Sequence, residues 1–170
     1  LIGWQTHCLT KPNADDRFRV IPDILPIPTM LNVMGSTGIT AYYGLIELGK
    51  PKPGEIVLVS GAAGATGSVV VQIAKLKGCH VIGIAGGKEK CDWLKTVGAD
   101  DVIDYKNSDV HEELIKVAKN GIDIYFDNVG GKILETVLEL ININARVLLC
   151  GGISSGYDAT RPDDGPNNLF

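Results

Sequence analysis

The sequence predicts an α/β protein built on a doubly wound parallel sheet, and three observations predict it. The stretch from Glu55 to Gly78 reads as an apolar strand, a glycine turn and an amphipathic helix in unbroken succession. Further short apolar runs follow, separated by segments of helical spacing, so strands and helices alternate along the chain. These runs lack polar alternation, as expected of strands covered on both faces.

Residues 1–30 stand apart. Pro12, Pro22, Pro26 and Pro28 punctuate short apolar pieces, which reads as an irregular lead-in or the edge of a neighbouring domain, with Trp4, Phe18 and Leu25 as apolar anchors. A helix is expected from Thr37 through Thr40, Ala41, Tyr42, Gly44, Leu45 and Ile46, until the breakers Gly49, Pro51, Pro53 and Gly54. A strand over 56–60 then leads to a helix over 66–77 and a strand over 80–85. A helix over 88–97 carries Cys91, Leu94 and Val97 on one face. A short strand over 101–104 is built on Val102 and Ile103, and a helix over 109–119 places Val110, Leu114, Val117 and Ala118 at helical spacing. The remaining elements are a strand over 123–127, a helix over 132–142 and a strand over 146–151. The tail from Ser154 is turn-rich, with Pro162, Gly165 and Pro166. The expected organisation is a lead-in over 1–30, a nucleotide-binding domain over 31–154 and a loop tail over 155–170. A six-stranded dinucleotide fold would need one strand more, which reads as truncation.

Bulk properties narrow the function. With 170 residues and 45% hydrophobic content, one sizeable core is expected. A net charge of -4 with scattered basic residues argues against a nucleic-acid surface. No apolar run approaches the roughly 20 residues of a membrane-spanning helix. Cys8, Cys79, Cys91 and Cys150 lie far apart without a CxxC pair, so buried free thiols and a reducing, cytoplasmic setting are expected. His7, His80 and His111 are isolated, and no metal site is expected. Leu1 is not a methionine and no signal-peptide pattern follows, so a fragment of a longer protein is expected.

The chemistry concentrates where strands end. Gly64 and Gly67 fall where the second and third glycines of a dinucleotide fingerprint belong, with Ala62 in place of the first. Gly64 would let a pyrophosphate approach the backbone, Gly67 would let the helix pack on its strand, and the helix N-terminus offers unpaired N–H groups. A tight turn packed with small residues is the ordinary alternative. An NAD enzyme would place Asp or Glu at the end of the second strand to hold the ribose 2′-hydroxyl. Here that corner reads Ala85, Gly86, Gly87, Lys88, Glu89, Lys90. Its small residues leave room for a 2′-phosphate and its lysines can neutralise one, so NADP is favoured; a glycine turn with solvated lysines is the plainer reading.

Tyr105 follows the third strand, either at the adenosine end of a crevice or as a half-buried aromatic. Asp127, Asn128, Val129, Gly130 and Gly131 end the fourth strand in a polar corner from which Asn128 could reach a cofactor ribose or pyrophosphate; an Asn–Gly turn is the alternative. Cys150, Gly151, Gly152, Ile153, Ser154, Ser155, Gly156 and Tyr157 end the fifth strand in the same way. There is no GxSxG elbow and no P-loop GK[ST] ending. Hydride transfer would need no side-chain nucleophile.

With these residues in hand, the chain resembles the cofactor (Rossmann) domain of zinc-independent medium-chain dehydrogenases/reductases, and among them the prostaglandin reductase and alkenal double-bond reductase group. The resemblance is carried by GSTGITAYYGLIELGKPKPGE, SGAAGATGSVVVQIAKLKGCHVIGIAGGKEK, VIDYK, IYFDNVGG and LLCGGIS, over about residues 35–154; GW at Gly3–Trp4 and GPNNL near the end also fit. It implies that Gly64, Ala65, Thr66 and Gly67 form a pyrophosphate loop, and that Lys90 and Tyr105 contact the adenosine 2′-phosphate. It further implies that Asn128 contacts the cofactor and that Cys150, Gly151, Ile153 and Ser154 lie beside the nicotinamide. Tyr157 is implied to assist protonation, with the cofactor ribose hydroxyl or water as the other proton sources, although the family often reads IS-x-Y where this chain reads ISSGY.

The implied activity is NADPH-dependent reduction of the C=C bond of small α,β-unsaturated aldehydes and ketones, in a protein that is often a homodimer. A quinone reductase would share the fold, and a non-catalytic dinucleotide-binding module is the reading from another class. The resemblance also implies that residues 1–30 are the remnant of a catalytic domain most of which is missing.

Overall fold

The computed structural model describes residues 26–155. A 3₁₀ turn, Ile27–Leu31, precedes helix α1, Ser36–Tyr42, which runs on as a π-helical stretch over Tyr43–Gly49. The helix expected from Thr37 is therefore present, but its second half is wound more widely. Gly44 brings it close to the sheet, since a Cβ there would lie 2.7 Å from Cε2 of Phe126.

Strand β1, Ile56–Val59, is buried along its whole length, as its unbroken apolar run predicts. Helix α2, Ala65–Leu76, leads to β2, His80–Ala85, and then α3, Lys88–Thr96, to β3, Asp101–Asp104. Helix α4, Val110–Val117, is capped by the Asp109 carboxylate, which accepts from Glu112 N at 3.0 Å. Strand β4 is Ile122–Asp127, α5 is Gly131–Leu138 and β5 is Ile141–Leu149.

The five strands are all parallel in the order β3-β2-β1-β4-β5, so the order reverses between β1 and β4. Side chains alternate to the two faces. Val57, Val59, Ile124 and Phe126 pack with α1, α2 and α3, through Ala41, Val70, Ala74 and Leu94. Leu58, Ile82, Ile84, Ile103 and Tyr125 pack with α4 and α5, through Leu114, Leu134 and Val137. The sheet is thus doubly wound, as expected.

One element departs from expectation. The helix read over 132–142 stops at Leu138, and β5 begins at Ile141 rather than at 146. Leu134, Val137, Leu138 and Ile141 share helical spacing, which extends the helical reading too far. What decides is pairing: Ile141 aligns with Ile122, and the Asn142 amide donates to Asp123 Oδ1 at 2.7 Å. Asn144 then takes a left-handed turn (φ 66°), and the register jumps from Ile122↔Ile141 to Ile124↔Arg146.

An ion pair distant in sequence ties the lead-in of β1 to β5. Arg146 donates Nη1 to Glu55 Oε1 at 3.0 Å and Nη2 to Oε2 at 2.6 Å, while its Nε donates to the Gly49 carbonyl at 2.9 Å. The Arg146 hydrogen bonds hold the Glu55 carboxyl below its usual range against the opposing effect of burial. A depressed carboxylate contributes stability that is complete above the ordinary carboxylate range and is lost as pH falls through the lowered value. Glu55→Gln is therefore expected to flatten the acid limb of the stability–pH curve, as read by urea unfolding between about pH 3 and 7. An unchanged acid limb would show the pair to be without weight.

Candidate functional site

The carboxyl ends of β1, β2, β4 and β5 build the site, beside the point where strand order reverses; in open α/β sheets this is where ligands bind. The loop after β1 does not follow the fingerprint as expected. Its tight turn is made at Gly61, which has φ 56°, and not at Ala62. Ala62 is fully buried, continues the ladder by donating its N–H to Ile84 O at 3.0 Å, and sits where a Cβ on Gly83 would come within 3.2 Å of its own Cβ. The spacing is thus G-x-x-G-x-x-G from Gly61, a signal legible in GAAGATG.

Within this loop packing is closest at Gly67. A Cβ there would overlap the Gly61 carbonyl oxygen and come 2.8 Å from Ala62 Cα. Gly64 has ordinary backbone angles (φ -78°, ψ 174°) and is exposed. Among the described residues no side chain caps α2, and helix geometry leaves the first N–H groups, those of Ala65 and Thr66 among them, without an intrahelical partner.

The β1 and β4 corners are joined through Ser60, Asn128 and Asp127. The Asn128 side-chain amide donates to Ser60 O at 2.7 Å, and its backbone N–H donates to Ser60 Oγ at 2.9 Å. Ser60 Oγ in turn donates to Asp127 Oδ1 at 2.8 Å. The same oxygen accepts Tyr125 OH at 2.7 Å and the N–H groups of Val129 and Gly130, each at 2.9 Å. Burial, and then the Asp127 charge, push the Tyr125 hydroxyl far above its usual range, so it stays a donor at any working pH. Asp127 is the organising residue that sequence reasoning passed over in favour of Asn128; a carboxylate ending an apolar strand was its signal.

The β5 corner closes against the β4 corner. Cys150 N and Gly151 N both donate to Asp127 O, at 2.8 and 3.1 Å. Ser154 donates to Val129 O through its N–H at 3.0 Å and its hydroxyl at 2.6 Å. A Cβ on Gly61 would touch Asn128 and Val129, so the glycine loop, Asn128 and the Cys150–Ser154 segment meet in one place, with Ile153 exposed beside them. Cys150 is exposed, against the expectation of a buried thiol, because it stands just past the end of an edge strand; Cys79 and Cys91 are buried as expected. Cys8 and Tyr157, along with the lead-in and most of the tail, lie outside the described residues.

The second-strand corner gathers differently. Lys88 pairs with Asp92, whereas the Lys90 side chain is exposed and has no hydrogen bond or ion pair among the described residues. Tyr105 is 49% exposed, and its ring lies over Gly86. The space expected to be open at Gly86–Gly87 is therefore occupied by this ring on its Gly86 side. Gly87 (φ 94°) donates its N–H to Asp104 Oδ1 at 2.8 Å. That bond and those from Asn107 and Lys106 N hold the Asp104 carboxyl below its usual range.

Among the described residues no helix is long and apolar enough to cross a membrane. The chain is similar to known proteins over nearly its whole length. NADPH-dependent curcumin reductase of Escherichia coli (strain K12) is 44% identical over 168 residues, covering 98% of this chain and 48% of that protein. Prostaglandin reductase 1 of Oryctolagus cuniculus is 45% identical over 160 residues, covering 93% of this chain and 46% of that protein. The chain thus spans about half the length of the curated relatives it matches. The crystal structure of CurA from Vibrio vulnificus in complex with NADPH is 54% identical, with a TM-score of 0.77 over 84% of this chain and 42% of that one.

The zinc-binding dehydrogenase family matches residues 65–164. That name implies a metal which the described residues do not fit: no three of their His, Cys, Asp or Glu side chains are arranged to hold an ion, and the Cys79 and Cys91 thiols point to backbone carbonyls of Lys52 and Ala85. Fold, strand-end corners and matched residues together place this chain in the zinc-binding dehydrogenase family, among relatives that are NADPH-dependent reductases.

Proposed function

We propose that the chain binds NADPH and serves the reduction of C=C bonds conjugated to a carbonyl, in small enals and enones. The observation that carries this reading is the meeting of three strand-end corners at the switch point, beside a helix whose first N–H groups are uncapped. In this reading Gly64, Ala65, Thr66 and Gly67 hold the pyrophosphate, Asn128 and the Cys150–Ser154 segment border the nicotinamide, and Lys90 and Tyr105 receive the 2′-phosphate. A bound reduced nicotinamide supplies a hydride. The chain's own part is to bind and orient, with Tyr157 as the proposed proton donor to the substrate carbon. Support comes from the CurA complex with NADPH and from relatives named as curcumin and prostaglandin reductases. A homodimer and a cytoplasmic setting complete the proposal.

Two measurements test it on the full-length protein. NADPH oxidation should follow addition of a 2-alkenal or an enone; no turnover with either defeats the reading, and turnover with quinones alone replaces it by a quinone reductase. Lys90→Ala should weaken NADPH binding roughly 10-fold or more and leave NADH affinity nearly unchanged. Equal weakening of both cofactors would make Lys90 a general electrostatic residue.

A further inference from the structure

The geometry points to Asp127 as the counter-charge of the nicotinamide corner: a buried carboxylate without a cationic partner among the described residues, placed to favour a positively charged ring over a neutral one. This rests on the NADPH reading above and deepens it.

The hydrogen bonds at Asp127 do not require its charge. Ser60 Oγ, Tyr125 OH, Val129 N and Gly130 N all converge on Oδ1, and an amide oxygen could accept them too. Oδ2 is buried with no hydrogen-bond partner, and among the described residues no Lys, Arg or His forms an ion pair with this carboxylate. A buried charge left in this way is costly unless something of opposite sign comes to it. The N-terminus of α5, which follows Gly130, offers a partial positive charge. A purely structural carboxylate would serve that helix end and nothing else.

The charge also reaches the corner assigned to the nicotinamide. Cys150 N and Gly151 N both donate to Asp127 O, and a Cβ on Gly151 would lie 3.0 Å from Asn128 O. The Cys150–Ser154 segment is thus mounted on the strand end that carries the carboxylate. Burial, and then the Asp127 charge, push the Cys150 thiol above its usual range, so the field is felt beyond the end of β5. NADPH and NADP⁺ differ in that corner by one hydride, and therefore by one positive charge on the ring. A fixed negative charge in a poorly solvated corner favours the oxidised form, and with it hydride donation.

The test reads dissociation constants for NADP⁺ and NADPH, and the unfolding midpoint, on the full-length protein. Asp127→Asn removes the charge, while the four donors hold its amide oxygen in the place of Oδ1. It should weaken NADP⁺ relative to NADPH by roughly 5-fold or more. Tyr125→Phe deletes one hydrogen bond and keeps the charge, so it should lower the midpoint and leave the ratio of the two constants unchanged. Cys150→Asp adds a second carboxylate at an exposed position and should move the ratio the other way. If Asp127→Asn lowers the midpoint without moving the ratio, or if Tyr125→Phe moves it as far, Asp127 is a structural acceptor only and the inference falls. Should Asp127→Asn fail to fold, Cys150→Asp decides, and an unmoved ratio there overturns the inference as well. If wild type binds neither nucleotide, the cofactor reading falls first, an outcome distinguishable from the others.

Discussion

Asp127→Ala is expected to destabilise the protein by about 3–5 kcal/mol and to lower Tm by roughly 10 °C or more. Asp127 is 1% exposed, and its Oδ1 is the acceptor for Ser60 Oγ, Tyr125 OH, Val129 N and Gly130 N. Alanine leaves all four donors without it, three of them buried and Val129 N part-buried, and each orphaned buried donor costs about 1–3 kcal/mol when nothing replaces the partner. The sum is an upper bound, since the loops relax. It is also offset because Asp127 Oδ2 is itself buried without a partner among the described residues. Tyr125→Phe removes a single donor and should cost about 1–2 kcal/mol. Urea or thermal unfolding followed by circular dichroism measures both, and an Asp127→Ala loss under about 1 kcal/mol would contradict the network's role. Because the same carboxylate sets Ser60, Asn128 and the Val129–Gly130 turn, cofactor binding should fall with stability.

Gly67→Val should be the most damaging change in the glycine loop. Every atom that a Cβ there would meet is backbone, in Gly61 and Ala62, so no rotamer change relieves the overlap. Helix α2 must back away from β1, losing packing by Val70 and Ala74, at an expected cost of about 1–3 kcal/mol or more. The N–H groups that head the helix move with it, and NADPH binding should fall at least 10-fold. Gly64→Ala separates the two effects. Its added Cβ would meet only Gly61 O, at 3.1 Å, and its φ is ordinary, so stability should change by less than about 0.5 kcal/mol while binding still weakens. Parallel measurement of Tm and NADPH titration decides. A Gly67→Val protein that binds normally, or a Gly64→Ala protein that binds normally, would show that the cofactor lies elsewhere.

The doubly wound sheet and the glycine loop were legible in the residues themselves. Val57, Leu58 and Val59 are apolar without alternation, and only burial on both faces suits such a run. Helical spacing in 66–77 and 88–97 marks crossovers, and a crossover between neighbouring strands makes them parallel. These are local properties, set by side-chain period and backbone freedom within a dozen residues.

What only the tertiary structure decided depends on neighbours far away in the chain. Ile141 satisfied a helical period with Leu134, Val137 and Leu138, yet pairing with Ile122, and the Asn142 bond to Asp123, made this segment strand. Arg146 read as one scattered charge until the fold brought Glu55 and Gly49 to it. Gly86 looked like open room for a phosphate, and it is the seat of the Tyr105 ring. Asp127 looked like part of an Asn–Gly turn, and it is the acceptor that binds two strand ends into one crevice. In each case the chain supplied the chemical group, and its role was set by which partner the parallel pairing of β2 with β3, or of β1 with β4 and β5, placed within a few ångströms.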